Sequence, residues 1–182
     1  MKKTKSQTKA QAQVISRVFA YLSCIVAVVL LVLGGLALWA HNFTSDMVRT
    51  ELSAQKVYFP EKGSKGFEAD VYPELQQYAG QIVDSPAKAK AYANGYIGRH
   101  LEHIADGKVY SEVSTEAQKD PTNQKLQGQK AALFQGETLR GILLTSGYGF
   151  GTVGEIAGIA STILFVLGGV LLAVGAFLFV KR

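Results

Sequence analysis

Two uncharged apolar runs decide the fold of this chain: VFAYLSCIVAVVLLVLGGLALWA at Val18–Ala40 and IAGIASTILFVLGGVLLAVGAFLFV at Ile156–Val180. As an α-helix the first run covers about 35 Å, because each residue adds about 1.5 Å along the helix axis. That length exceeds the ~30 Å hydrocarbon core of a bilayer and leaves room for tilt. The two runs therefore predict two transmembrane helices.

The second span has to be separated from the apolar residues that precede it. Gly141–Val180 is interrupted only by Glu155 and as one helix would measure about 60 Å, twice the bilayer core. Because a carboxylate at mid-bilayer costs a few kcal/mol, we place Glu155 at the outer interface. The expected segments are a basic cytoplasmic tail at 1–17, transmembrane helices at 18–41 and 155–180, an extracytoplasmic domain at 42–154 and a cytoplasmic end at 181–182. Residues 141–154 are apolar and near the membrane, and whether they continue the second helix stays open.

A cleaved signal peptide is the alternative interpretation of the first apolar run. The basic start of the chain fits a signal peptide, but the run of 23 residues is longer than the usual apolar region of about 7–15 residues. Gly35 and Ala37 resemble a cleavage site. A mature chain that begins after Ala37 would keep a single span, and this alternative stays open.

The basic residues are concentrated at the two ends of the chain. The middle holds 12 basic and 14 acidic residues, a net charge of −2. Seven of the 19 Lys and Arg lie outside it: Lys2, Lys3, Lys5, Lys9, Arg17, Lys181 and Arg182. Because basic residues near a span stay in the cytoplasm, we expect a multi-pass plasma-membrane protein with both termini cytoplasmic. The pI near 9.3 then reflects topology, and we expect no nucleic-acid partner.

Small residues recur every seven positions in both apolar stretches. Seven residues are nearly two helical turns, so each set forms one stripe along its helix. Helices associate in lipid where small residues let their backbones approach closely. The predicted packing residues are Ala20, Ala27 and Gly34 on the first span, and Gly147, Gly154, Ser161, Gly168 and Gly175 on the second stretch. We expect an antiparallel hairpin along these stripes, although the same stripes would also suit a homo-oligomer or the helix of a partner.

The middle of the chain predicts a small, mostly helical domain. Its clearest helix has Ser85 as the cap and Pro86 at the first helical position, and it ends before Asp106-Gly107. Other helices are expected from Thr44 or Ser45 to about Lys56, around Val71–Ala79, and from about Thr122 towards the second span. The predicted fold class is therefore mainly α: a two-helix transmembrane hairpin with a small, mostly helical extracytoplasmic domain.

The sequence contains no recognisable catalytic or cofactor motif. His100 and His103 are the candidate metal ligands, but a metal site needs two more ligands that the sequence does not place near them. We therefore expect a partly buried, hydrogen-bonded His100 beside an exposed His103. Cys24, the single cysteine, lies inside the first span, and the glycines of Gly147–Gly151 follow no predicted strand as those of a phosphate loop would. We expect no catalytic residue, no cofactor and no enzymatic activity.

Two blocks of sequence resemble a known family. The first block consists of Tyr92-Ala93-Asn94, His100-Leu101, Ile104-Ala105 and Gly107-Lys108-Val109-Tyr110-Ser111-Glu112-Val113-Ser114, and the second consists of Leu133-Phe134 with Gly136–Leu144. They look like blocks found in small two-span membrane proteins of actinobacteria, which often have no assigned activity. The resemblance implies the two-span topology and the helical outer domain. Some members carry the label aromatic ring-opening dioxygenase, which would require non-haem iron ligands that this sequence does not offer.

Three functions are compatible with these features. The leading hypothesis is a non-enzymatic accessory or scaffold protein that packs on a membrane-protein partner or forms a homo-oligomer, since the aromatic-rich segment Leu143–Phe150 is expected to be exposed. The alternative is an extracytoplasmic binding or sensor module for a small apolar or lipid ligand. A metal-dependent enzyme that uses His100 is the third.

Overall fold

The structure is a computed structural model that describes residues 2–180, with side chains described from residue 10 onward. Its helices are α1 (Lys2–Ala54), a 3-10 helix (Pro73–Tyr78), α2 (Pro86–Lys90), a first π-helical segment (Ala91–Gly98), α3 (Arg99–Ile104), α4 (Tyr110–Lys119), α5 (Gln124–Ile142), a second π-helical segment (Leu143–Gly149) and α6 (Phe150–Val180). No β-strand occurs among residues 2–180, where Tyr58 and Ile82 form an isolated antiparallel bridge.

The chain divides into two compact units. The first unit holds the chain up to Phe43 and from Gly154 onward, and the second unit is Thr44–Val153. These boundaries lie within two residues of the outer domain expected at 42–154. Helix α1 begins at Lys2, so the basic N-terminal segment belongs to the same helix as the first apolar run.

Two helical stretches are long and apolar enough to cross a membrane. They are Ala10–Ala54 and Gln124–Val180, and in the most apolar 18-residue window of each only 11% of the residues are buried. The core helix of a soluble protein buries its apolar face, so these windows do not resemble one. The prediction of a mainly helical chain with two long apolar helices is confirmed.

The second unit has an apolar core built from most of its helices and from the irregular segment between α1 and α2. Phe59, Phe67 and Val83 of that segment are at most 1% exposed, as is Leu143 of the long helix. The side chain of Ser85 accepts a hydrogen bond from the amide of Lys88 at the start of α2. Asp106 and Gly107, with φ of 53° and 77°, end α3 at the predicted turn.

The two π-helical segments are the main departure from the sequence expectation. The helix predicted from Pro86 to about Ala105 contains the first segment, and the stretch Gln124–Val180 contains the second. The second segment joins α5 to α6 without a break, so residues 141–154 continue the second apolar helix. A π turn holds more residues than an α turn and rotates the side chains that follow it, and such segments are frequent at functional sites.

Candidate functional site

Small residues occupy every buried position of the first unit that the structure describes. Between residues 10 and 43 the buried positions are Ala20, Ala27 and Gly34, and between residues 154 and 180 they are Gly154, Ser161, Gly168 and Gly175. Each set has the seven-residue spacing of the predicted stripes. The interface between α1 and α6 is therefore a seam whose buried positions are all small residues, with larger side chains such as Leu31 and Phe165 packing against its glycines.

The glycines of this seam face small residues of α1 in a constant register. A Cβ atom built on Gly168 would lie 3.3 Å from the carbonyl oxygen of Ala27, and one on Gly175 would lie 3.3 Å from that of Ala20. Seven residues forward along α1, from Ala20 to Ala27, therefore correspond to seven residues backward along α6, from Gly175 to Gly168. The two helices are antiparallel. The two backbones approach closely, as in membrane helix pairs that lack large interface side chains.

Two polar contacts cross the seam. The hydroxyl of Ser161 donates a hydrogen bond to the carbonyl of Gly34 at 2.9 Å, and the imidazole Nδ1 of His41 lies 2.8 Å from the carbonyl oxygen of Gly154. A Cβ atom on Gly158 would come within 2.8 Å of that imidazole nitrogen, so His41 occupies the space left by the Gly154–Gly158 pair. This contact of His41 was not among the predictions, although His41 continues the seven-residue series after Gly34.

Gly147, the remaining residue of the predicted stripe, lies in the second unit. A Cβ atom there would be 2.8 Å from the Cβ of Ala89 on α2 and 3.4 Å from the side chain of Leu52 on α1. It is buried between two helices, and α2 approaches it more closely than α1. The stripe residues therefore lie in two different units and contact two different helices.

His100 and His103 do not meet further metal ligands. No group of three or more His, Cys, Asp or Glu side chains that would hold a metal ion exists among the described residues. Both histidines are exposed, so the expected partial burial of His100 is wrong. Its imidazole stacks on the ring of Tyr96 with 6.2 Å between centroids and makes no hydrogen bond to any described residue.

Aromatic rings hold the irregular segment between α1 and α2 against the first π-helical segment. The ring of Phe59 contacts Tyr78 and Tyr92, and the ring of Phe67 contacts Tyr72 and Tyr96, with centroid distances of 5.0–5.7 Å. Burial raises the pKa values of the Tyr92 and Tyr96 phenols, because it disfavours the charged phenolate. This cluster is part of the core and gives the segment a fixed shape.

An apolar groove of about 520 Å³ opens on the second unit between the end of α1 and the second π-helical segment. Its volume falls in the range of about 300–1,000 Å³ that is typical of small-molecule sites. Val48 and Leu52, which are 4% and 5% exposed, form its floor, and the partly exposed Met47, Ile142 and Phe150 form its sides. The groove therefore has a continuous apolar surface.

Four polar side chains also line this groove. They are Glu51 and Gln55 on α1, and Thr145 and Ser146 on the second π-helical segment. All four residues are exposed, and their side chains make no hydrogen bond or ion pair with any other residue whose side chain the structure describes. The groove thus combines an apolar floor with donors and acceptors that the protein itself leaves unused.

The segment Leu143–Phe150, expected to be an exposed partner surface, is only partly exposed. Leu143 is completely buried and Gly147 is buried, while Phe150 is 38% exposed and faces the groove. The ring of Tyr148 lies 4.6 Å from the ammonium of Lys90. The expectation that Leu143–Phe150 is an exposed segment is therefore wrong in part, because two of its eight residues are buried and three more are half-buried.

The exposed aromatic surface of the second unit lies instead on α4 and α5. Phe134 is 59% exposed and Tyr110 is 37% exposed, and their ring centroids lie 5.9 Å apart. Val109 is 58% exposed next to them in sequence. We call Val109, Tyr110 and Phe134 the ring patch. A shallow depression of about 310 Å³ beside the two rings includes Lys130 and Ala131.

Comparisons with family models, with curated proteins and with solved structures give no match to this chain. The resemblance to two-span actinobacterial membrane proteins therefore stays a prediction. Two surfaces of the second unit are candidates for a function. They are the groove with its four polar side chains that have no partner among the described residues and the ring patch.

Proposed function

We propose that this protein is a non-enzymatic integral protein of the plasma membrane with both termini in the cytoplasm. The two long apolar helices support the two spans. The seven basic residues outside the middle of the chain support the orientation, because basic residues next to spans are retained on the cytoplasmic side. The unit Thr44–Val153 then lies on the extracytoplasmic side.

Cysteine labelling tests this topology. Cys24 is the single cysteine, so a Cys24→Ser background gives a chain without thiols. In intact cells a membrane-impermeant maleimide should label Lys62→Cys in the outer unit and should not label Gln11→Cys before the first span. Both positions are exposed, and permeabilised cells provide the control in which both should react. The opposite labelling pattern, or Lys62→Cys left unlabelled until cells are opened, would contradict the proposed topology.

Within that topology we propose that the outer unit acts as an accessory or scaffold subunit that packs on a membrane-protein partner. The ring patch is the observation that carries this proposal. Exposed aromatic side chains grouped on one surface are typical of protein interfaces, where aromatic residues are the usual anchors. Lys130 beside the rings adds a positive charge at the edge of the patch, which favours a partner surface with acidic residues at its rim.

Substitution of Phe134 tests the partner surface. We expect Phe134→Ala to reduce co-purification of the partner from mild detergent by about 30-fold, because an anchoring aromatic contributes about 2 kcal/mol or more to an interface. Tyr58→Ala is the matched control, since Tyr58 is 53% exposed in the same unit and lies outside the patch. The readout is quantitative mass spectrometry of proteins cross-linked through a photoreactive residue at Ala131. Equal recovery of every cross-linked protein with both variants would refute the role of the patch.

A further inference from the structure

The groove has polar side chains that make no hydrogen bond to another described residue. Thr138, Thr152 and Thr162 each donate their hydroxyl to the carbonyl four residues earlier, at 2.7–3.1 Å, because in a helix this carbonyl lies within reach of the side chain. Thr145 and Ser146, like Thr44 and Thr50 of α1, make no such bond to a described residue. Their hydroxyls are therefore available to a molecule in the groove.

Thr145 and Ser146 both lie in the second π-helical segment. They line the groove together with Ile142 and Phe150, so two hydroxyls stand beside two apolar side chains on this wall.

The charge of the groove restricts what it binds. Glu51 is the single charged side chain among the residues that line it, and no described cation lies within ion-pair distance of its carboxylate. A carboxylate attracts an ammonium group and repels a phosphate or a second carboxylate. A ligand with an exposed anionic group near Glu51 is therefore disfavoured.

The apolar part of the groove indicates the rest of the ligand. Leu52 and Val48 form the apolar floor of the groove. An alkyl chain would cover this floor and remove it from water, which is favourable, whereas a small polar molecule would leave it in contact with water. Met47 lies on α1 and Phe150 on α6, the two helices that contain the apolar runs. Under the topology proposed above, membrane lipids are the amphiphilic molecules that this chain meets, which favours a lipid as the occupant.

We propose that this groove binds one membrane lipid whose head group carries an ammonium ion. Its acyl chain lies over Leu52 between Ile142 and Phe150, its ammonium pairs with Glu51, and its head-group oxygens accept hydrogen bonds from the hydroxyls of Thr145 and Ser146. The amide of Gln55 supplies a further donor at the same end. This inference rests on the proposed membrane topology, which the cysteine labelling tests separately, but the site is distinct from the ring patch and does not depend on the partner proposed for it.

A photoreactive lipid tests the site. The full-length protein is reconstituted in phosphatidylglycerol vesicles that contain a small fraction of phosphatidylethanolamine with a diazirine in one acyl chain. Illumination should label peptides that contain Met47 and Phe150, and excess unlabelled phosphatidylethanolamine should compete with this labelling. A phosphatidylglycerol probe with the same acyl chain should label these peptides at least fivefold less. Equal labelling by the two probes overturns the proposal.

Two substitutions in the groove test whether Glu51 and Thr145 contact the lipid. Glu51→Gln removes the negative charge at an exposed position and should lower labelling by phosphatidylethanolamine about fivefold. Glu102→Gln is the matched control, because Glu102 is exposed and without a side-chain partner among the described residues. Thr145→Phe should fill the groove and abolish labelling at both peptides. Unchanged labelling with either groove variant, or a photoreactive residue at Ser146 that cross-links to protein and not to lipid, overturns the proposal.

Discussion

Replacing Gly168 by valine is expected to destabilise the α1–α6 hairpin by about 2 kcal/mol, whereas the same change at Gly169 leaves it nearly unaffected. A Cβ atom on Gly168 would lie 2.9 Å from Cγ and Cδ2 of Leu31 and 3.3 Å from the carbonyl oxygen of Ala27. The carbonyl belongs to a helix backbone and cannot rotate away. The helices must separate, and overpacking of a tight interface typically costs about 1–3 kcal/mol.

Gly169 makes this a controlled comparison. A Cβ atom on Gly169 meets nothing within 4 Å, although Gly169 is the next residue on the same helix. Valine changes the intrinsic helix propensity equally at both positions, so the difference between the variants reports on the contact with α1. Both variants expose a similar apolar side chain to detergent or lipid when the hairpin opens.

The fluorescence of Trp39 measures the effect. It is the single tryptophan of the chain and lies in the first unit, where its ring stacks on Phe43 with 5.6 Å between centroids. In detergent we expect the thermal midpoint of this signal to fall by about 6 °C for Gly168→Val, because about 1 kcal/mol corresponds to roughly 2–4 °C in a chain of this size. Equal midpoints for the two variants would mean that the seam does not hold the helices together.

The seam shows what a periodic pattern in the sequence can predict. Small residues every seven positions allow one close-packed line along each helix, and Ala27 and Gly168 do lie opposite each other. The participation of His41 was not predicted, because a histidine after an apolar run resembles an interfacial residue. His41 contacts Gly154 and Gly158 because of the register in which α1 lies along α6. The spacing of small residues on one helix does not specify that register.

The groove could not be predicted, and the reason is geometric. Its walls come from Met47–Gln55 and Ile142–Phe150, about ninety residues apart in the sequence, and their positions depend on how the second unit folds between them. Thr145 and Ser146 lie in the second π-helical segment, and such turns leave no clear periodic signal in the sequence. The segment Leu143–Phe150 was expected to be exposed because the predicted second span begins only at Glu155, and the burial of Leu143 and Gly147 depends on neighbours that the sequence does not place.

Replacing Gly151 by alanine should destabilise the second unit by about 2–3 kcal/mol, although alanine is the better helix former. A Cβ atom on Gly151 would lie 2.9 Å from Cβ of Pro86 and still closer to Cγ of the same ring. The proline ring is fixed at the first position of α2 and has no rotamer that moves it away. Helix α2 must therefore shift as a whole, which also disturbs the packing of Ala89 against Gly147.

Gly141→Ala separates this contact from helix propensity. Gly141 lies on the same long helix, and a Cβ atom there meets nothing within 4 Å, so alanine should stabilise by about 0.5–1 kcal/mol. Hydrogen exchange of the α2 amides gives the readout: we expect faster exchange at Ala89 and Lys90 in Gly151→Ala and unchanged or slower exchange in Gly141→Ala. Faster exchange in both variants, or in neither, would show that α2 does not depend on the small residue at position 151.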